Sequence, residues 1–126
     1  MGSYRDLVAW KKAMRLALHV YQETKGFPRE EVYGLTSQLR RAAVSVIAEG
    51  QARFSQKEFR HFLNTAKGFL AELDTQLLLA RELKLLQSDT AAHLLQEIAE
   101  VGRLVSGLQN SMRERTHNLV LGTRFF

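Results

Sequence analysis

Apolar residues recur along the chain at alternating steps of three and four, the spacing that places side chains on one face of an α-helix. Four segments show this spacing, and they predict helices over about 4–24, 29–50, 55–86 and 90–115. The predicted core stripes, in chain order, are Leu7, Trp10, Met14, Ala17 and Tyr21; Leu35, Leu39, Ala42 and Val46; Phe59, Phe62, Ala66, Phe69, Leu73, Leu77 and Ala80; and Leu94, Ile98, Val101, Val105, Leu108 and Met112. The pattern is that of an all-α protein.

Local signals at the segment boundaries support these helices. Pro28 is expected to precede the second helix, with Glu30 and Glu31 in its first turn, where carboxylates interact favourably with the helix dipole. The third helix is predicted to begin at Ser55, because Ser55 and Glu58 have the spacing of a capping box, in which each side chain accepts a hydrogen bond from the other residue's amide.

The connections between the predicted helices are short, so consecutive helices are expected to lie antiparallel. We therefore predict an all-α fold, an up-down-up-down antiparallel four-helix bundle, as a single domain over residues 1–126. Its core is expected over about 4–115, with a C-terminal tail over 116–126. The third helix is predicted to be the longest, at about 31 residues, and to overhang the first two.

The predicted helices carry more apolar residues than the core of one bundle can cover. In the first helix Val8, Leu16 and Val20 fall outside the predicted stripe. The C-terminal part of the third helix is rich in leucine, with Leu77, Leu78, Leu79, Leu83, Leu85 and Leu86. The segment 119–126 is also too apolar for a solvated chain end. Because large exposed apolar patches mark interaction surfaces, the sequence predicts a homo-oligomer.

Composition narrows the function classes. The chain has 126 residues, of which 45% are apolar and 25% charged, and this suits one globular domain. The absence of cysteine excludes disulfides, thiolate zinc sites and cysteine nucleophiles. The N-terminus lacks the apolar segment of a signal peptide, and the longest strictly apolar run, 77–80, is far shorter than a membrane span. We expect a cytoplasmic protein with no membrane partner.

Positive charge is concentrated at one end of the hairpin formed by the second and third helices. The net charge is +5, and residues 36–68 contain six basic and two acidic residues, whereas residues 69–101 contain two basic and six acidic ones. The candidate nucleic-acid-binding residues are Arg40, Arg41, Arg53, Lys57, Arg60 and Lys67. This strip suits the phosphate backbone of RNA or DNA and has no aromatic residues placed for base stacking, so binding is expected to depend on salt and little on sequence. The alternative is a solvated face partly paired with Glu49 and Glu58.

The remaining ionisable and hydroxyl groups favour structural roles over catalysis. Arg41 with Glu49 or Glu72 is predicted to form an ion pair between the second and third helices, in preference to an acid–base role for either carboxylate. Ser45 has no histidine or lysine at helical spacing to activate it, and no phosphate-cradling glycine loop is present. We expect no enzymatic activity.

A metal centre is the remote alternative. Glu58–His61 and Glu114–His117 are both Glu-x-x-His motifs, which ferritin-like di-iron bundles use in pairs. The predicted stripe of the third helix turns the first histidine outward, and the capping box engages the first glutamate, so we expect no metal and no cofactor. His19 and His93 have no ligand-spaced partner and are predicted as surface residues.

The segment 38–53 carries the most specific motifs of the chain. It reads Gln38-Leu39-Arg40-Arg41-Ala42-Ala43-Val44-Ser45, then Ile47-Ala48-Glu49-Gly50 and Arg53. Further motifs are Asp6-Leu7 with Trp10-Lys11, Phe27-Pro28 with Tyr33-Gly34-Leu35, Glu58-Phe59 with Phe62-Leu63, and Ala66-Lys67-Gly68 with Glu72-Leu73. In this combination the chain resembles the four-helix-bundle family encoded by intervening sequences in bacterial 23S ribosomal RNA genes.

The resemblance implies an up-down bundle that assembles into a ring, typically a pentamer, with no known enzymatic activity. A distant relative of the family, the accessory protein of diversity-generating retroelements, is a basic pentamer that binds a reverse transcriptase and nucleic acid. The function expected from the resemblance is therefore binding of RNA or DNA by a homopentamer, as a scaffold for a reverse transcriptase or for ribosomal RNA. A protein-interaction module without a nucleic-acid role is the alternative.

The chain departs from the family pattern at two places. About three residues that usually precede Ile-Ala-Glu-Gly are absent between Ser45 and Ile47, which rotates the downstream side chains by about 60°. The family favours a small Gly-Ser pair in the third helix, where this chain has Gly68-Phe69. We expect the bulk of Phe69 to fill space that the shortened second helix vacates.

Overall fold

The computed structural model describes the backbone of residues 4–51 and 56–124 and the side chains of residues 8–47 and 57–113. Its helices are α1 (Tyr4–Thr24), α2 (Leu35–Gln51), α3 (Gln56–Glu82) and α4 (Ser88–Arg124), with a 3₁₀ turn over Arg29–Glu31. Each helix packs on two others, since α1 and α3 both contact α2 and α4. The predicted all-α, up-down-up-down four-helix bundle is confirmed, and α1 has the predicted bounds.

The core runs along the bundle axis and draws on all four helices. The predicted stripes of α2 and α4 are confirmed, because every one of their members is buried. One fully buried leucine from each helix marks the centre of the core: Leu16, Leu39, Leu73 and Leu94. Removal of each such side chain from water contributes about 1.5–3 kcal/mol, so the bundle is held mainly by this apolar contact.

The stripe predicted for α1 is wrong by a rotation of the helix, although its member Ala17 is buried as predicted. Leu16 and Val20, predicted to lie outside the core, are 1% and 0% exposed, whereas Tyr21 is exposed and Met14 half-buried. Apolar residues occupy more than half of this helix's circumference, so their spacing fits two faces equally well. The buried face is the one that carries Ala9, Ala13 and Ala17, because small side chains let helices approach closely.

The stripe predicted for α3 also differs in part. Phe59, Ala66, Leu73, Leu77 and Ala80 are buried as predicted. Leu63 and Leu70 take the buried positions predicted for Phe62 and Phe69, which are half-buried on the flank of the helix. Phe69 packs against the core cluster.

The leucine-rich end of α3 is less exposed than its composition suggested. Leu77 and Leu86 are buried, and Leu78 and Leu85 are half-buried. Leu79 and Leu83 are the leucines of this group that stay exposed. The apolar surface left for a partner on α3 is therefore narrower than predicted.

The second helix begins later than predicted. Pro28 is followed by the 3₁₀ turn, with Val32 N–H donating to Arg29 O and Gly34 N–H to Glu31 O, and α2 starts at Leu35. The residues of the 3₁₀ turn are not buried, and Tyr33 is 97% exposed. Because this segment has no apolar face to pack, tertiary contacts do not hold it in an α-helix, and the acidic first turn alone is insufficient.

The third helix ends at Glu82 rather than at Leu86, in a Schellman motif. Leu85 N–H donates to Ala80 O over 2.9 Å, Lys84 N–H donates to Arg81 O over 3.0 Å, and Lys84 has a positive φ of 62°. Half-buried Leu85 packs against the core cluster just beyond the turn. The sequence does not show this end, because the left-handed position that usually carries glycine carries lysine here.

Replacing Lys84 by glycine is expected to stabilise the protein by about 1 kcal/mol. In the left-handed region a residue with a Cβ atom is destabilised by about 1–2 kcal/mol, and glycine is not. Part of this gain is lost, because glycine makes the unfolded chain more flexible. Urea denaturation followed by circular dichroism measures the change, at one protein concentration. The control is Lys84→Ala, which keeps the Cβ atom and should bring no gain; equal stabilisation by both variants would contradict the proposed cause.

The fourth helix is longer than predicted. α4 has 37 residues and α3 has 27, so α3 exceeds α1 and α2 as predicted but α4 exceeds α3. The helical backbone of α4 continues through 116–124, the segment predicted as a tail, because neither proline nor glycine interrupts the chain between Gly107 and Gly122. The side chains of this extension and the predicted capping residue Ser55 lie outside the described residues. Over the residues described, none of the helices is long and apolar enough to cross a bilayer.

Candidate nucleic-acid interface

A basic groove lies between α3 and α4. Arg60, Asn64 and Lys67 of α3 and Gln109 and Arg113 of α4 line it, and its volume is about 380 Å³. The Gln109 Nε2 atom donates a hydrogen bond of 2.6 Å to Asn64 Oδ1, which joins the two helices across the groove. The groove thus combines three cations with one pair of amides.

Helical spacing explains why these side chains converge. Arg60, Asn64 and Lys67 follow each other at steps of four and three, so they share the flank of α3 that faces α4, next to the buried stripe. Gln109 and Arg113 are four residues apart on the corresponding flank of α4. Arg60 and Lys67 are two helical turns apart, which is about 10 Å along the α3 axis.

Among the described residues that line the groove, none is acidic. The ion pairs of the described part of the chain are Lys12–Glu100, His19–Glu97 and Arg81–Glu82, and the groove cations take part in none of them. Arg113 instead donates to Asn110 Oδ1 over 2.7 Å, which orients its guanidinium group. The groove is consequently a concentration of positive charge that an anion can neutralise.

The structure brings together two of the six predicted site residues, Arg60 and Lys67. Lys57 is exposed near the start of α3 but does not line the groove, and Arg41 is exposed on α2. Arg40 turns away toward α1. The side chain of Arg53 lies outside the described residues.

Arg40 holds α1 and α2 together. Its Nε atom donates to Thr24 Oγ1 over 2.9 Å, and its Nη2 atom donates to Tyr21 O over 3.3 Å. Its guanidinium group lies 4.7 Å from the centre of the Tyr21 ring, as in a cation–π contact. A cation here also caps the carbonyl end of α1, where the helix dipole is negative. These contacts make Arg40 a structural residue that joins α2 to α1.

Replacing Arg40 by methionine is expected to destabilise the protein by about 1–2 kcal/mol, because it removes two hydrogen bonds and a cation–π contact. The same change should leave nucleic-acid affinity within about twofold, since it removes one charge distant from the groove. Thermal denaturation measures the first effect and a binding titration the second. A large loss of nucleic-acid affinity in a folded Arg40→Met protein would show that Arg40 contributes to the binding surface.

The ion pair predicted between Arg41 and Glu72 is wrong, because both side chains are exposed and no ion pair joins them. The side chain of Glu49, the other predicted partner, lies outside the described residues. The ion pairs that join two helices lie between α1 and α4 instead. Lys12 Nζ lies 2.9 Å from Glu100 Oε1, and the hydrogen bond from Lys12 holds the pKa of the Glu100 carboxyl below its ordinary value.

The prediction that His19 is a surface residue holds only in part, because its side chain is 35% exposed but pairs with Glu97 of α4. His19 is half-buried, and its Nδ1 atom lies 2.6 Å and 2.8 Å from the two carboxylate oxygens of Glu97 on α4. His93 is exposed, as predicted, with its ring 6.4 Å from that of His19. The pairing could not be read from the sequence because the two partners are 78 residues apart.

The Glu-x-x-His motifs are described in part. His61 is exposed on α3, as predicted, and Glu58 is exposed as well. The side chains of Glu114 and His117 lie outside the described residues. Within the described part of the chain, no group of three or more histidine, aspartate or glutamate side chains is placed to hold a metal ion.

Both the sequence and the fold of this chain are similar to those of known proteins. The model of the family described as 23S rRNA-intervening sequence protein matches residues 5–107. The chain belongs to this family. A crystal structure of a protein of unknown function from the S23 ribosomal protein family, from Bacteroides thetaiotaomicron, is similar to this family member with a TM-score of 0.76. The similarity covers 84% of this chain and 98% of that chain at 20% identity, which shows a shared fold. No curated protein matches the chain.

Gln109 and Arg113 of this family member were not predicted from the sequence as site residues. Gln109 and Arg113 belong to α4, which the charge count over 36–68 did not include. The available signal was their position beside the Leu108 and Met112 stripe, which places them on the flank of α4. Which neighbour that flank faces is decided by the packing of α4 on α3.

Proposed function

We propose that this protein is a non-enzymatic scaffold that binds the phosphate backbone of RNA or DNA in the α3–α4 groove. The observation that carries the proposal is the convergence of Arg60, Lys67 and Arg113 in a groove whose described lining contains no carboxylate. Each phosphate that these cations neutralise releases condensed counterions, which drives binding without reading the bases. The net charge of +5 adds a long-range attraction.

We further propose that the protein assembles into a closed ring of five copies. Two exposed apolar patches support assembly. The α1–α2 patch consists of Leu18, Tyr21 and Val44, and the α3 patch consists of Leu79 and Leu83. Leu18 is one turn before Tyr21 and Val44 one turn after Arg40, so the contact between Arg40 and Tyr21 sets Leu18 and Val44 at the same level of the antiparallel pair.

The two patches belong to different helices, the first to α1 and α2 and the second to α3, and among the described residues α1 does not pack against α3. Contact between unlike patches of successive copies is a heterologous interface, and such an interface closes into a ring when the rotation permits. A ring repeats the basic groove around its axis. Weak contacts to one continuous backbone then add through effective concentration, so that modest single sites give firm binding.

A titration tests the proposed function. Labelled RNA and DNA of unrelated sequences are titrated with the protein at two salt concentrations, and fluorescence anisotropy reports binding. We expect similar affinities for both nucleic acids and a steep loss of affinity at the higher salt, because the log–log slope counts the released counterions. Affinity that ignores salt would refute the electrostatic basis. An absence of binding near physiological salt would favour the alternative, a module whose positive end meets an acidic protein.

A further inference from the structure

The amide pair in the groove has hydrogen-bonding groups left over. Gln109 donates to Asn64 across 2.6 Å, and this contact uses one hydrogen of the first amide and one lone pair of the second. The Gln109 carbonyl therefore remains an acceptor, and the Asn64 NH₂ group remains a donor. Exchanging the oxygen and nitrogen positions of both amides reverses these roles but again leaves one free carbonyl and one free NH₂ group.

The free groups of the amide pair lie beside the three cations of the groove. Arg60 and Lys67 flank Asn64 on α3, and Arg113 lies one turn beyond Gln109 on α4. A phosphate bound by these cations would bring the rest of its nucleotide against the amides. The volume of about 380 Å³ is in the range that holds one small ligand.

A free donor beside a free acceptor complements the Watson–Crick edge of a nucleobase. Adenine, cytosine, guanine and uracil each present at least one donor next to one acceptor on that edge. In a duplex these groups are bonded to the opposite strand, whereas in a single strand they are accessible, which is why proteins read unpaired RNA on this edge. The amide pair can therefore select the unpaired state of a base without selecting its identity.

We propose that the α3–α4 groove binds single-stranded nucleic acid, with the phosphate on Arg60, Lys67 and Arg113 and the Watson–Crick edge of the adjoining base on Asn64 and Gln109. This inference rests on the proposed function and adds the strandedness of the ligand. The mutual hydrogen bond holds both amides in position before the base arrives, so less side-chain freedom is lost on binding. The cations supply the affinity that is common to all strands, and the amides supply the preference for unpaired bases.

The experiment compares three probes at one salt concentration: a 12-nucleotide oligouridine, the same strand annealed to oligoadenine, and uridine monophosphate. For the unchanged protein, we expect the single strand to bind about tenfold more tightly than the duplex, the effect of one bidentate base contact. The mononucleotide should bind far more weakly than either polymer, because it makes a single phosphate contact. Equal affinity for single strand and duplex would overturn the inference while the proposed function stands. Mononucleotide binding as tight as that of the single strand would overturn the assignment to a polymer.

A variant separates the amides from the cations. Asn64→Leu with Gln109→Leu removes the pair while leaving the three cations, and should reduce single-strand affinity about tenfold without changing duplex affinity or the salt slope. Gln96→Leu, an exposed glutamine on the same helix, is the matched control and should change nothing. An unchanged strand preference in the double variant would also overturn the inference. If neither strand form binds the unchanged protein at low salt, the proposed function itself fails, and the inference with it.

Discussion

Replacing Arg60 and Lys67 together by glutamate is expected to abolish RNA and DNA binding while leaving the helix content unchanged. Both side chains line the α3–α4 groove and neither is buried, so the core loses nothing. The change replaces two cations by two carboxylates at the same positions, and attraction to phosphate becomes repulsion. Arg113, the remaining groove cation, then faces two negative charges.

The salt dependence makes this prediction quantitative. Arg60→Ala with Lys67→Ala removes the cations without reversing the charge, and should reduce the slope of log affinity against log salt by about 1.5, since each phosphate contact contributes about 0.7–0.9. Anisotropy titrations over a range of salt concentrations measure the slope, and circular dichroism checks the helix content. A weaker affinity with an unchanged slope would show that these side chains do not contact phosphate.

A second charge reversal tests whether position or net charge matters. Lys11→Glu with Arg15→Glu makes the same change in net charge on two exposed residues of α1. If the groove is the binding surface, this variant should keep most of its affinity. An equal loss in both charge-reversed proteins would mean that overall charge alone drives binding, and the groove would lose its special role.

Replacing either Leu18 or Leu83 by glutamate is expected to dissociate the proposed ring into single chains. Light scattering coupled to size-exclusion chromatography should give about five times 14.4 kDa for the unchanged protein and 14.4 kDa for each variant. Leu18 is 57% exposed and Leu83 53%, so neither change disturbs the core of one chain. A charge buried in an apolar interface without a partner costs several kcal/mol, so either change is expected to break the contact between copies.

Mixing the two variants distinguishes a ring from a symmetric dimer. A chain with Leu18→Glu keeps an intact α3 patch, and a chain with Leu83→Glu keeps an intact α1–α2 patch. One intact pair of unlike patches remains in the mixture, so it should form a 1:1 dimer and no larger species. Gln96→Glu, which adds a charge to the outer face of α4, is the control and should remain a ring. A measured mass of 14.4 kDa for the unchanged protein would refute the proposed assembly.

Much of the bundle could be predicted because helix formation and burial are both periodic. α4 shows this best, since its stripe from Leu94 to Met112 repeats at steps of three and four without interruption, and every predicted member is buried. The buried face of α1 could not be predicted in this way, because apolar residues lie on more than half of its surface. The spacing allowed two buried faces, and contact with α2 and α4 selected the one with small residues.

Of the five residues that line the α3–α4 groove, two, Arg60 and Lys67, were predicted from the sequence as site residues. The sequence placed Arg60 and Lys67 on one flank of α3, because their separation is close to two full helical turns. It also proposed Arg40, which in the structure bonds to Thr24 and Tyr21 of α1. Adjacent arginines at 40 and 41 lie on different sides of their helix, and charge counted along the chain does not distinguish the sides.

By itself the sequence determined the fold class, the order of the helices and the faces of α2 and α4, because each depends on periodicity within a short stretch of chain. The tertiary structure decided the buried face of α1 and the pairing of His19 with Glu97. It also brought Gln109 and Arg113 of α4 to Arg60 and Lys67 of α3. These features depend on contacts between residues far apart in the chain, and such contacts are set by how four helices pack together rather than by the period of any one of them.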